Sequence, residues 1–187
     1  SKDRRAAQTA LAEILTDLLK LLAPVLVYTA DEAWGYLPEH LRREQSVHLA
    51  EFPSVRSEYK LPPAVAAEWD ALLRVRVVAS KQLEEARRAE MIGSSLQASL
   101  TIAPGDEATA NVLKKYEGQL YDLMIVSHIV IGPIVDDARA ADEKVLVAVA
   151  PAPGEKCIRC WPVRESVGTI SGHQQICAVC AKQLGVG

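Results

Sequence analysis

The segment Lys156-Cys-Ile-Arg-Cys-Trp161 decides how the end of this chain folds, because a second C-x-x-C motif, Cys177-Ala-Val-Cys180, follows it. Sixteen residues separate the two motifs, which contain all four cysteines of the 187-residue sequence. Two tight turns at this spacing direct four thiolates at one centre, and Zn²⁺ accepts four thiolates in a tetrahedron at about 2.3 Å. We therefore predict one structural zinc ion with four protein ligands. These ligands are Cys157, Cys160, Cys177 and Cys180.

Two disulfides are the alternative use of four cysteines, and they require an oxidising compartment. The sequence has no segment that resembles a secretory signal peptide. Four cysteines in 187 residues are also far fewer than proteins held together by disulfides contain. Metal binding is therefore the preferred interpretation of the motif.

Composition and charge place the chain among globular proteins and narrow the functions open to it. Hydrophobic residues make up 49% of the sequence and charged residues 24%, with no apolar run long enough to span a bilayer. We expect a cytoplasmic protein without membrane contact. The net charge of −3 argues against a protein that coats nucleic acid, because that mode requires many lysines and arginines on one face. Any nucleic-acid contact is therefore expected to be local and specific.

The first part of the chain predicts helices. Apolar residues recur at the spacing of one helix face, at Leu11, Ile14, Leu15, Leu18, Leu22 and Val25. From Leu18 onward this helix is apolar on almost every side, which is typical of a helix surrounded by others, and too few partners follow it. Pro24 interrupts it, and Thr29-Ala-Asp-Glu32 predicts the capping box of a short second helix. Residues 38–61 are expected to form a polar connection with one extended piece at 47–52.

A second long helix is predicted to begin at Pro62 and Pro63, because proline in the first helical turn loses no hydrogen bond. Gly93 is expected to stop this helix. Its buried stripe is predicted to consist of Trp69, Leu72, Leu73, Val77 and Leu83.

Beyond this helix, alternating and β-branched apolar residues predict three strands, at 98–103, 126–131 and 145–149. A helical stretch at 107–123 separates the first two strands. We divide the chain into a helical region at 1–91, a small α+β subdomain at 92–150, and a linker with the zinc module at 151–187. The predicted fold class is mainly α, with a small α+β subdomain and a C-terminal zinc-ribbon or knuckle module.

Arg159 and Trp161 lie on the first knuckle, where a guanidinium and an indole would form a platform on which unpaired RNA bases stack. The alternative is that Trp161 covers the metal in a module with almost no core of its own. Farther upstream, Arg87 and Arg88 either contact phosphates or belong to a solvated helix face with ion pairs along the helix. The residues alone leave both alternatives open.

The sequence contains no catalytic signature that we recognise. A glycine-rich phosphate loop, an H-E-x-x-H motif and a G-x-S-x-G motif are absent. His173 lies between the cysteine pairs, but four thiolates already complete a structural zinc site. His40, His48 and His128 have no partner at metal-ligand spacing. On its residues alone, the chain is a binding module.

Six short segments together resemble the C-terminal region of the bacterial isoleucyl-tRNA synthetases. They are Lys20-Leu-Leu-Ala-Pro24, Thr29-Ala-Asp-Glu-Ala-Trp34, Ser46-Val-His-Leu49, Leu83-Glu-Glu-Ala-Arg87, Ile92-Gly-Ser-Ser-Leu96 and Lys156-Cys-Ile-Arg-Cys-Trp161. The first segments are shared with valyl and leucyl relatives, whereas the C-x-R-C-W knuckle with its second C-x-x-C singles out the isoleucyl family. The zinc motif by itself also resembles that of the formamidopyrimidine-DNA glycosylase group.

The resemblance implies an anticodon-binding helical bundle that begins upstream of this chain, a small mixed α/β insert and a zinc-bound tail that approaches the anticodon loop. It implies that Trp161 and Arg159 contact an anticodon base. We add Arg164, Arg87 and Arg88 as candidate RNA contacts. The implied partners are an isoleucine-accepting tRNA and the remainder of the synthetase chain.

The synthetase signatures H-x-G-H and K-M-S-K-S are both missing, so this polypeptide does not activate an amino acid by itself. ATP is expected only in the catalytic domain of the larger enzyme, and Zn²⁺ is the cofactor expected here. The alternative function is a zinc-stabilised protein-interaction module without RNA contact, in which Trp161 is a packing anchor. Recognition of damaged DNA is a third, weaker interpretation.

Overall fold

The computed structural model describes residues 2–134, 140–142 and 145–186, with the side chains of Asp3 and of 140–142 left out. The α-helices are α1 (Lys2–Leu22), α2 (Val27–Gly35), α3 (Pro63–Arg88), α4 (Glu107–Lys115), α5 (Glu117–Met124) and α6 (Ala178–Leu184). The strands are β1 (Ala98–Pro104), β2 (His128–Ile131), β3 (Ala140–Asp142), β4 (Val145–Pro151), β5 (Glu155–Lys156) and β6 (Val163–Arg164). Short 3₁₀ turns lie at Val47–Leu49, Ser57–Tyr59 and Ser95–Gln97. The mainly helical fold class with a small mixed sheet is confirmed.

The chain divides into two compact units, Ser1–Lys60 and Leu61–Gly187. The first has a small core, which consists of Leu19, Ala23, Ala30, Trp34, Leu37 and Val47. Most residues of the predicted apolar stripe of α1 lie outside this core, since Leu11 is 65% exposed and Ile14 is 62% exposed. Pro24 lies in the turn between α1 and α2, where the sequence placed the interruption.

The predicted capping box at Thr29 is wrong, because α2 already begins at Val27 and its N-cap residue, Leu26, makes no side-chain cap hydrogen bond. The Asp31 carboxylate instead accepts hydrogen bonds from the Ser46 hydroxyl at 2.5 Å and the Val47 amide at 3.1 Å. The Ser46 hydrogen bond is the main cause of the lowered pKa of Asp31. These bonds accompany a 3₁₀ turn at Val47–Leu49, so the extended piece predicted at 47–52 is wrong in its first half, whereas Ala50 has an extended backbone.

Helix α3 begins at Pro63, as predicted, and packs against β4 in the main core of the second unit. Leu72 and Leu83 are buried, but Leu73 is 44% exposed and Val77 is 71% exposed, which corrects the predicted stripe. At 3.6 residues per turn, these two side chains lie toward the opposite side of the helix from Leu72 and Leu83. The helical region predicted at 1–91 therefore includes α3, a helix whose buried face packs against the sheet.

Gly93 does not stop α3, which corrects another prediction. The helix ends at Arg88, and Glu90 adopts a left-handed backbone with φ of +57°. The Met91 amide donates to the Ala86 carbonyl at 3.0 Å and the Glu90 amide donates to the Arg87 carbonyl at 3.1 Å. This is the hydrogen-bond pattern of a Schellman motif, in which the left-handed residue is usually glycine.

The sheet has the strand order β2-β1-β4-β3. Strands β1 and β2 are parallel, with α4 and α5 in the crossover between them, and β1 pairs antiparallel with β4. Burial alternates along β1 and β4, which bury Ala98, Leu100, Ile102, Val145, Val147 and Val149. The three predicted strands and the predicted helical stretch are confirmed, the latter as two helices.

The last element group is built around the cysteines. Strands β5 and β6 form a two-stranded hairpin, and α6 follows the second C-x-x-C motif. The small core here contains three buried cysteines together with Val167, Ile176 and Ala181. Among the described residues, no helix combines the length and apolarity that crossing a bilayer requires.

Candidate metal centre and nucleic-acid surface

The four cysteine sulfurs converge on one point. All four Sγ atoms lie within 4.8 Å of one another. Cys157 and Cys180 are 3.8 Å apart at Sγ, and Cys160 and Cys177 are 3.6 Å apart. Zinc–sulfur bonds of about 2.3 Å place the ligands of a regular tetrahedron about 3.8 Å apart. All four cysteines are free, so the structure favours the metal interpretation over two disulfides.

Local backbone contacts shape the first knuckle. The Trp161 amide donates to the Cys157 carbonyl at 2.9 Å, and the Cys157 amide donates to the Pro162 carbonyl at 3.0 Å. The Ile158 amide donates to the Gln175 carbonyl at 3.1 Å and so connects the two halves of the module. Cys177 is the N-terminal cap residue of α6, and Cys180 lies in its first turn. The second pair of sulfurs is therefore oriented by a helix start.

The cysteine thiols of the cluster differ in how readily they ionise. Burial raises the pKa of the Cys157 thiol, but amide hydrogen bonds from Cys160, Cys177 and Arg159 outweigh burial and lower it to about 6. Burial and the neighbouring thiols raise the pKa of Cys160 far above its ordinary value. A zinc ion bound by these sulfurs would deprotonate its thiol ligands. The donor set fits Zn²⁺.

Trp161 lies on the surface of the knuckle rather than over its core. Its side chain is 61% exposed, and its backbone is left-handed with φ of +78°. The Lys156 ammonium lies 5.4 Å from the centre of the indole ring, a cation–π contact. One face of the ring therefore has a cationic neighbour within the same module.

The arginines predicted as RNA contacts occupy three different settings. Arg159 is exposed, and its Nη1 donates to the Gln183 Oε1 on α6 at 2.9 Å. Arg164 is half-buried, and its guanidinium lies 5.3 Å from the centre of the Tyr121 ring. The buried Nε of Arg164 has no hydrogen-bond partner among the described residues.

Arg87 and Arg88 belong to the last turn of α3 and not to the zinc module. Both are exposed, and Arg87 pairs with Glu84 at 2.9 Å. The ion pair along the helix, which we considered as an alternative to phosphate contact, is therefore present for Arg87. Their contact with RNA stays a prediction.

Sequence reasoning did not select three residues that support this surface: Lys156, Gln183 and Ser127. Lys156 directly precedes the first knuckle, so its position in the sequence could have identified it as part of this surface. Gln183 and Ser127 are far from the knuckle in sequence and reach it only through folding. No local pattern identifies them.

Comparison with known proteins decides the family. Residues 1–108 match the family model described as the anticodon-binding domain of tRNA ligase. The chain therefore belongs to the anticodon-binding domain family of tRNA ligases. This match begins in the first compact unit and extends through α3 and β1 of the second.

The similarity of this anticodon-binding domain to single proteins continues beyond residue 108. The isoleucine–tRNA ligase of Geobacter sulfurreducens is 41% identical over 182 residues, which are 96% of this chain and 19% of the relative. That of Brachyspira hyodysenteriae is 40% identical over 184 residues, 98% of this chain and 20% of the relative. That of Caldanaerobacter subterraneus subsp. tengcongensis is 41% identical over 191 residues, again 98% and 20%.

The chain thus spans about a fifth of the length of the curated relatives it matches. At 96–98% coverage of the chain, these alignments extend into the cysteine module, which lies outside the 1–108 match. The isoleucyl resemblance noted from the motifs is confirmed, and the chain corresponds to the anticodon-binding region of an isoleucine–tRNA ligase.

Proposed function

We propose that this chain recognises the anticodon stem-loop of an isoleucine-accepting tRNA for a larger, ATP-dependent ligase that works in the cytoplasm. Recognition is carried by the zinc module, where Trp161 stacks on an unpaired anticodon base and Arg159 hydrogen-bonds to the RNA beside it. The observation that supports this most directly is the exposure of Trp161, at 61% of its surface, on a knuckle shaped by four cysteines.

Two features of Trp161 argue for contact with a partner. An indole that merely covers a metal site is expected to be buried, whereas this ring faces solvent. Its left-handed backbone costs roughly 1–3 kcal/mol, a strain that persists only when surrounding structure imposes it. Single-stranded RNA bases are commonly read by stacking on aromatic side chains, so the exposed ring suits an unpaired base.

The arginines contribute at the edges of this contact. Arg159 is exposed and donates one hydrogen bond from Nη1 to Gln183, which leaves its other guanidinium donors for the RNA. We assign Arg87, Arg88 and Arg164 to phosphates of the stem-loop. With a net charge of −3, the chain relies on a few such contacts rather than on a strongly positive surface.

Zinc has a structural role in this proposal. Cys157, Cys160, Cys177 and Cys180 hold one Zn²⁺, which supplies the folding free energy that the small core of the module lacks. The ion takes no part in chemistry, because all four positions are filled by protein thiolates.

The test is a fluorescence titration of the zinc-loaded chain with an isoleucine tRNA anticodon stem-loop. Stacking on one base contributes about 1–3 kcal/mol, so Trp161→Ala should weaken binding at least about fivefold. Ile158→Ala is the matched control, because Ile158 lies on the same turn and is 60% exposed but has no aromatic ring. It should bind like the unaltered chain.

The outcome also decides between this proposal and its rival. If Trp161→Ala binds the stem-loop as tightly as the unaltered chain, Trp161 does not read a base. The exposed indole then fits the protein-interaction module, in which it packs against another protein domain. Tighter binding to duplex DNA than to the stem-loop would instead support the third interpretation.

A further inference from the structure

Ser127 joins the zinc module to the sheet. It lies just before β2 and is 1% exposed. Its hydroxyl donates to the Leu96 carbonyl at 2.5 Å and accepts from the Val163 amide of β6 at 2.6 Å. One buried side chain therefore connects the loop before β1, the start of β2 and the hairpin of the zinc module.

Three further contacts lie along the same junction. The guanidinium of Arg164, next to Val163 in β6, lies over the ring of Tyr121 on α5. The Ala152 amide donates to the Gln97 carbonyl at 2.7 Å, and Pro151 pairs with Ala98 at the end of β4. The segment that we predicted as a linker is therefore held to the sheet at its start.

The glycine of this segment also approaches the module closely. Gly154 has φ of +98°, and a Cβ there would lie 2.4 Å from the Arg164 carbonyl carbon. The end of the linker is therefore tightly packed against β6 where the hairpin begins.

We propose that Ser127 is a positioning residue that fixes the zinc module on the sheet so that Trp161 meets the anticodon base, an inference that rests on the proposed function. Val163, whose amide Ser127 binds, is two residues beyond Trp161. Between them, Pro162 accepts the hydrogen bond that closes the knuckle. The hydroxyl therefore acts on the indole through one short, rigid stretch of backbone. Ser127 itself does not touch RNA.

The variant that tests this is Ser127→Ala in the zinc-loaded chain. It removes one oxygen and leaves the Val163 amide and the Leu96 carbonyl without their partner, while all four zinc ligands remain. We expect one zinc per chain, as before, and binding of the anticodon stem-loop weakened about threefold or more. The matched control is Ser99→Ala, since Ser99 lies in the same sheet and its hydroxyl contacts His128 and not the zinc module. It should bind normally.

A double variant distinguishes positioning from general damage. If Ser127 acts through the indole, the loss of binding in Ser127→Ala combined with Trp161→Ala should be clearly smaller than the sum of the two single losses. Additive losses would overturn the proposal. So would unchanged binding by Ser127→Ala with its zinc retained.

A spectroscopic readout needs no RNA. The sequence has three tryptophans, so 5-fluorotryptophan labelling gives three ¹⁹F resonances, and Trp161→Ala identifies one of them. Ser127→Ala should shift and narrow the Trp161 resonance and speed hydrogen exchange of the Val163 amide, with Trp34 and Trp69 unchanged. If neither the Trp161 resonance nor the exchange rate of the Val163 amide changes, Ser127 does not hold the zinc module in place.

Two further outcomes can also be interpreted: a Ser127→Ala variant that does not fold, and an unaltered chain that does not bind the stem-loop. If Ser127→Ala does not fold, Tyr121→Leu weakens the same junction from the surface, where Tyr121 is 37% exposed, and should give the same changes at smaller size. If the unaltered chain does not bind the stem-loop, the proposed function fails, whereas the ¹⁹F and exchange signals still show whether Ser127 holds the module.

Discussion

Single residues in this chain hold backbone conformations that usually belong to glycine. Among the described residues, the non-glycine positions with positive φ are Glu90, Ile125 and Trp161. A residue with a Cβ loses roughly 1–2 kcal/mol in this conformation. Glu90 and Ile125 end α3 and α5, so two helix ends carry no glycine signal in the sequence. This explains why the stop of α3 was predicted at Gly93.

Ile125→Gly should stabilise the unit at residues 61–187. Ile125 is 53% exposed and left-handed, so the substitution relieves backbone strain at the cost of little buried surface. After the entropy that glycine loses on folding, the expected gain is about 0.5–1 kcal/mol. Urea unfolding followed by circular dichroism measures it.

The control for this prediction is the opposite substitution, glycine to alanine, at another helix end with a left-handed backbone. Gly185 has φ of +71° at the end of α6, so Gly185→Ala should destabilise its own element. A lower free energy of unfolding for Ile125→Gly would show that the Ile125 side chain stabilises the fold more than its backbone strain costs.

The candidate site could be predicted from sequence only where its chemistry is local. The cysteine cluster follows from two C-x-x-C spacings, because each pair is set by one turn. The residues that orient the surface, Gln183 beside Arg159 and Ser127 beside Val163, depend on contacts between distant segments. Spacing along the chain carries no signal for such pairs.

Among the elements, the strands were predicted well and the faces of the helices poorly. Strands β1 and β4 bury every second residue, so their pattern is unambiguous. Helix α3 carries apolar residues on both sides, and Leu73 and Val77 are exposed although they are as apolar as the buried Leu72. The sequence shows that a helix forms there, but the neighbouring elements decide which face is buried.

The zinc module should lose its structure when the metal is removed, and the other elements should keep theirs. A structural zinc site of this kind supplies about 10–16 kcal/mol of folding free energy, which the small core around Val167 and Ile176 does not replace. Treatment with a chelator should therefore increase hydrogen exchange in residues 155–186, while α3 and β1 stay protected. Atomic emission should find one zinc per chain beforehand.

Two variants sharpen this test. Cys160→Ser should lose the zinc ion, whereas His173→Ala should retain it, because the described cluster consists of the four cysteines. Unchanged hydrogen exchange after complete zinc removal would show that the module folds without the metal.

For the whole molecule, charge limits the ways in which RNA could be bound. The net charge is −3, so attraction over the whole surface is weak, and in our proposal RNA binding depends on a few arginines. The overall class followed from composition and periodicity. The division at residue 60 did not, because it depends on which core α3 joins.

Stem-loop binding should depend moderately on salt. If Arg87, Arg88 and Arg164 each neutralise one phosphate, log K should fall with log salt with a slope of about −2 to −3. Arg88→Gln should reduce this slope by about 1, and Arg74→Gln, on the exposed surface of the same helix, should leave it unchanged. A slope near zero would show that the arginines do not meet phosphates.

The junction at Ser127 has a practical consequence for protein engineering. A chimaera that exchanges the metal-binding end between two ligases by cutting at Pro151 would transplant β6 without the hydroxyl to which it bonds. The transferred segment needs the hydroxyl that accepts the hydrogen bond of the Val163 amide. A graft should therefore include the loop before β1 and the start of β2 together with the cysteines. The exchangeable part is discontinuous in sequence.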